Sequence, residues 1–210
     1  MNLFKVTSLI CLIFITSGSF AQKIFYSSDA DNLALKHNII ALAPPSVSIP
    51  AKKKMDLDAL KEQQRTESIN IQQEMYSWLM KRKMQGKINL EILDVETTNA
   101  KLQKAGYPET PLSPAEMAEI LGVDAVVTSN FVLKKPISTG AAVAMNMLTN
   151  SYGPSTTNEV KATLSIHDRS SKKLIWNYDK MYKGSLGSTH TKLVNALMKN
   201  ASKKIPYSKL

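Results

Sequence analysis

The chain has 210 residues, with 27 Lys and Arg against 17 Asp and Glu, a formal charge of +10 and one cysteine. A lone cysteine excludes a disulfide framework and a multi-thiolate metal site within the chain. The basic balance favours anionic partners, such as an anionic envelope surface or a negative protein face. No interleaving of aromatic and basic residues points to nucleic acid.

Residues 1–21 read as a signal peptide. Lys5 gives the positive start, Val6 to Ile15 the apolar core, and Ser19 and Ala21 the small residues before the cut, so the mature chain is expected to begin at Gln22. The apolar stretch is too short for a membrane span, and no transmembrane span is expected in the mature chain. Cys11, the one cysteine, lies inside this leader. Export to the periplasm or beyond, with or without outer-membrane association, is the expected location.

Residues 22–37 are a polar lead-in, with Ile24, Phe25 and Tyr26 as docking residues. Residues 38–205 then form one domain. Asn38 to Ala43, NIIALA, is an apolar strand closed by Pro44 and Pro45. A long helix follows from about Leu57 to Gln85, capped by Asp56 or Asp58 and ended by Gly86. Its first half is polar, so the spacing predicts a core face only in the second half. The first half is read either as a solvated helix end or as an arm that meets a partner through residues such as Gln64 and Arg65.

Lys87 to Val95 alternates, with Ile88, Leu90, Ile92 and Val95 on one side, and predicts a strand. Thr97 to Ala105 predicts a short helix ended by Gly106. Ser113, Pro114 and Glu116 then spell a capping box, with Met117, Ile120 and Leu121 as the apolar stripe and Gly122 as the stop. Val123 to Val127 is a continuous β-branched run, which predicts a strand covered on both faces.

Residues 136–158 read as an insertion. Its small and apolar part, Gly140 to Leu148, is read as a buried helix, a subunit contact or a membrane-touching hairpin, with Val143, Met145, Met147 and Leu148 as candidate partner or oligomer contacts. Glu159 to His167 and Lys173 to Tyr182 predict a hairpin around the turn DRSSK. Val160, Ala162, Leu164 and Ile166 face inward on the first strand, and Leu174, Trp176 and Tyr178 on the second. Thr189 to Ile205 predicts an amphipathic helix carrying Leu193, Leu197, Ala201 and Ile205. Residues 206–210 are a basic tail. The fold class is therefore α/β, of mixed α+β type: a single three-layer-like domain with a mixed sheet of about five strands.

Three histidines, His37, His167 and His190, lack partners at metal-binding spacing, and no cofactor or metal site is expected. His167-Asp168 is read as a solvated turn pair, and GSLGS, residues 184–188, as a linker. Asp94 and Glu96 stand at a strand end but are not named catalytic.

The first strand, the long helix, the stretch LGVDAVVTSNF and the hairpin ATLSIHDRSSKKLIWNYD together resemble a superfamily of bacterial envelope proteins. It includes the curli-assembly outer-membrane lipoprotein, the lipoprotein activator of a penicillin-binding protein, and the N-terminal domain of the Tol-Pal translocation protein. Leu164, Ile166, Asp168, Leu174, Ile175 and Trp176 carry the hairpin part of the likeness, which spans about Asn38 to Ile205. It implies a non-catalytic scaffold that binds envelope proteins or self-associates, and no site residues carry over. The chain departs from that pattern at Ile10, where a lipid-anchor signal wants a small residue, and at Gly140–Leu148, too short for the curli channel's hairpins. The alternative from the residues alone is a hydrolase using dispersed Asp, Glu and His.

Overall fold

A computed structural model describes residues 23–51, 56–134, 158–184 and 188–208. The elements in order are β1 (Lys23–Tyr26), α1 (Ala30–Ala34), β2 (Ile39–Leu42), β3 (Ser46–Ser48), α2 (Leu57–Met84), β4 (Glu91–Ile92), α3 (Val95–Lys104), α4 (Pro114–Leu121), β5 (Ala125–Lys134), β6 (Glu159–Asp168), β7 (Leu174–Lys183) and α5 (His190–Ala201), with a 3-10 turn at Pro206–Ser208. The leader, the Gly140–Leu148 segment and most of GSLGS lie outside the described residues.

One mixed, open sheet runs through the molecule in the order β1-β7-β6-β5-β2-β4, with β3 also paired to β5. It has seven strands, where about five are expected from the sequence; β1 and β3 are the additions. β2 and β3 both lie parallel to β5, and the β5-β6-β7 run is antiparallel. The mixed α/β class read from the sequence is the class of this fold.

Each face of the sheet has its own core. On one, Ile71, Met75 and Leu79 of α2 and Leu193, Leu197 and Ala201 of α5 pack with Phe131, Leu164, Trp176 and Tyr178. On the other, Leu102 of α3 and Met117, Ala118 and Leu121 of α4 pack with Ala41, Ala43, Val123 and Val126. Helices on both faces explain why Val123 to Val127 is apolar without alternation. The second face of the hairpin carries Asn177 donating to Ser165 at 2.9 Å and Thr163 donating to Asp179 at 3.1 Å. A polar face needs no helix above it.

Local chemistry sets the helix ends. Asp56 caps α2 by accepting from the Asp58 and Ala59 amides. Ser113 and Glu116 form the capping box of α4, and Gly122 ends it at φ +72°, a conformation that costs a side chain but not glycine. The bond to Ser113 also holds the Glu116 carboxyl below its ordinary value.

Two expectations change. Of Lys87–Val95 only Glu91 and Ile92 pair as strand, although Ile88, Leu90, Ile92 and Val95 are all buried. Asp94 turns the chain there by capping α3 through the Thr97 amide at 2.7 Å. That bond and the Thr97 side chain hold its carboxyl low, so Asp94 does structural work. In β7, Leu174 is 37% exposed and Ile175 is buried. The register slips between Ile166 and His167, and this bulge turns Leu174 outward while Trp176 and Tyr178 stay in the core.

Candidate functional site

Pro44 and Pro45 interrupt the run from β2 to β3, because neither can donate to a ladder. On its far side from β5, β2 is covered by β4 over Ile39 and Ile40 only, and the chain then leaves into α3. From that point the edge is sealed by side chains of α2. Gln72, wholly buried, donates from Nε2 to the Leu42 carbonyl at 2.8 Å, and Ser68 donates to the Pro45 carbonyl at 2.6 Å. Gln72 and Asn99 also exchange a reciprocal amide pair at 2.8 and 2.9 Å, which locks α3 to α2. The helix thus supplies the hydrogen bonds that a next strand would have made.

Beyond this seal a groove of about 820 Å³ opens between α2, β3, α3 and the loop after α3. Gln64, Arg65, Ser68 and Ile69 form one wall; Asn99, Gln103, Tyr107 and Glu109 form the other; Pro44, Pro45, Ser46 and Val47 lie between. Gly106, at φ +88°, reverses the chain after α3 and brings Tyr107 and Pro108 to the groove; a Cβ there would meet the Thr110 hydroxyl at 2.9 Å. Burial pushes the Tyr107 phenol above its ordinary value, so it serves as a neutral hydrogen-bonding group. The groove is of the size that ligand sites usually have. Its lining is mixed: Pro44, Pro45, Val47, Ile69 and Leu102 give apolar surface, with amides, hydroxyls and two opposite charges among them.

Of the candidate contact residues, Gln64 and Arg65 stand together in this groove wall. Val143, Met145, Met147 and Leu148 fall outside the described residues. Tyr107, Asn99 and the prolines carried no functional signal in the sequence, because only tertiary packing brings them opposite α2: α3 is tied to α2 by the Gln72–Asn99 pair, and β3 pairs with β5.

A second polar cluster lies away from the groove. His37 Nε2 donates to Asp168 Oδ1 at 2.7 Å, and His37 Nδ1 lies 2.8 Å from the Tyr207 hydroxyl. Asp168 Oδ2 accepts from the Ser171 amide and hydroxyl, each at 2.6 Å, and from Ser170 at 2.8 Å. The reading of His167-Asp168 as a solvated pair is therefore corrected: Asp168 is 2% exposed and pairs with His37. The turn DRSS folds back over Asp168, its Ser171 amide three residues on bonding the carboxylate, which is carried inward. Burial pushes the Asp168 carboxyl up, but the bonds from Ser171, His37 and Ser170 outweigh it and hold it at about 2. Burial, then the nearby Asp168 and Asp124 carboxylates, push the Tyr207 phenol far up. The His37 and Asp168 side chains are 2% and 3% exposed, so they offer no face to a substrate. This cluster is a clasp joining the entry of β2, the hairpin turn and the C-terminal turn. The imidazole of His167, pushed down by burial, lies outside it, and His190 meets the Lys134 carbonyl at 3.3 Å.

Among the described residues no group of three or more His, Cys, Asp or Glu could hold a metal ion, and no helix is long and apolar enough to cross a membrane.

No protein-family model and no curated protein matches the chain. Solved structures do. A lipoprotein of Neisseria meningitidis is 13% identical, with 80% of this chain and 96% of that one covered, at a TM-score of 0.41. The PelC dodecamer of Paraburkholderia phytofirmans is 9% identical, covering 90% and 98%, at 0.43. The C-terminal domain of LpoB from Salmonella enterica is 10% identical, covering 74% and 96%, at 0.35. A likeness so distant says nothing about what the chain binds.

Proposed function

We propose that this is an exported, non-catalytic envelope protein that works by binding partners or by assembling, with the groove between α2, β3 and α3 as a contact surface. The groove carries the reading. The first half of α2 buries little apolar surface, yet its Gln64, Arg65 and Ser68 wall a cavity whose other residues come from three separate elements. A polar helix half held in this way suits recognition. Envelope proteins, or a second copy meeting the Val143–Leu148 segment, are the partners that fit the leader and the sequence resemblance. The basic balance adds an affinity for anionic envelope surfaces. The alternative, a hydrolase using dispersed Asp, Glu and His residues, could draw on the His37–Asp168 pair only if both opened to solvent.

Light scattering on the protein beginning at Gln22 tests assembly, beside a variant with Val143, Met145 and Met147 changed to Ser. The expected outcome is an oligomer that the triple variant reduces to monomer. Two monodisperse monomers, with no envelope component retained by immobilised wild type, would overturn the proposal.

A further inference from the structure

Past the carbonyls that α2 seals, the groove lies along the edge of β3, which no further strand of the described chain completes. β3 has β5 on one side and no strand on the other, since β4 stops at Ile92. An edge strand turns alternate backbone N–H and C=O groups outward. Along the same edge, Gln72 and Ser68 satisfy the carbonyls of Leu42 and Pro45. α2 packs against one side of Val47, but among the described residues none of its side chains hydrogen-bonds the backbone of Ser46–Ser48, and Ser46 and Val47 line the groove. We infer that the groove takes an extended segment of a partner polypeptide, which adds to the outer edge of β3 as a further strand and places a carboxylate against Arg65. The inference rests on the binding role proposed above.

Three features favour this occupant. The three-residue edge is about 10 Å long, enough to fix a short strand through its main chain. Gln64 and Gln103 stand on the two sides of that line, and each amide can both donate to and accept from a backbone. Arg65 is exposed and makes no ion pair among the described residues, so a carboxylate has a free partner there. Glu109 is the acidic residue of the lining. Its charge disfavours a polyanion such as a phosphorylated glycan along the whole groove.

The test starts from a random dodecapeptide phage library panned on the protein from Gln22. The best peptide is then resynthesised with single N-methyl groups at successive positions. Strand addition predicts enriched peptides rich in β-branched residues with an acid near one end. Affinity should fall at least about tenfold on N-methylation at alternate positions only, because only alternate amides face β3. Arg65→Glu lies on an exposed helix face, and circular dichroism checks that its fold is intact. It should weaken the same peptide at least about tenfold. Failure to enrich any peptide, uniform tolerance of N-methylation, or indifference to Arg65→Glu would each overturn the inference. So would binding of chitohexaose in the groove without peptide binding. If peptides fail while envelope proteins still cross-link to the groove, strand addition falls and the binding role stands.

Discussion

Asp168 holds three pieces of chain with one carboxylate: its own turn, His37 ahead of β2, and through His37 the buried Tyr207. Its folded value of about 2 lies below its ordinary 3.8. The charged form is therefore favoured by folding. The stabilisation is fully present above about pH 4 and is lost as pH falls toward 2; the shift corresponds to about 2 kcal/mol. Urea unfolding at a series of pH values should show wild type losing that margin across the window. Asp168→Asn should lack this part of the slope, leaving that of other low-lying carboxyls such as Asp29, whose bond to Ser27 favours its charged form. Equal slopes would mean that Asp168 is paired no better folded than unfolded. The sequence shows DRSS as a turn, which it is. It does not show the burial, because the partner imidazole is 131 residues away and nothing local marks His37 as its mate. Leu174 is a similar case. Alternation assigns it inward, and a bulge that alternation cannot express sends it out.

Gln72 does at the scale of elements what Asp168 does at the turn. It sits in the otherwise apolar face of α2, wholly buried, and joins α2, β2 and α3 through its amide. Gln72→Leu would keep the volume but orphan the Leu42 carbonyl and the Asn99 amide. Chemical denaturation should show a loss of about 1–3 kcal/mol. A change below about 0.5 kcal/mol would mean that water replaces the amide without cost. Elements that announce themselves chemically were legible: α2 from Asp56 and its apolar second half, α4 from its capping box, the hairpin from its paired alternation. β1 and β3 were not legible as strands. They are four and three residues long, sit at edges, and bury little, so periodicity has almost nothing to act on. The strand expected over Lys87–Val95 is mostly irregular although its apolar residues are buried as the pattern requires. The pattern reports burial, and Asp94 capping α3 decides where pairing stops.

The whole molecule is a sheet clad on both faces beside β2 and on one face beside the hairpin. Its groove lies at the edge where β4 gives out. The sequence marked Gln64 and Arg65 as a polar helix surface that the core does not explain. It could not place them opposite Tyr107 and Asn99, since that depends on the Gln72–Asn99 pair joining α2 to α3, nor over Ser46 and Val47, since β3 lies against β5 in a pairing of residues about 84 positions apart. The central claim is that this groove meets a partner. The most direct test is photo-cross-linking in the intact envelope, with a benzophenone side chain placed at Gln64 or Gln103 in the groove, or at Lys161 on the hairpin's polar face. The account predicts a discrete protein adduct from both groove positions, none from Lys161, and loss of the groove adducts on Arg65→Glu. Equal labelling from the groove and from Lys161, or no adduct from either groove position, would contradict it.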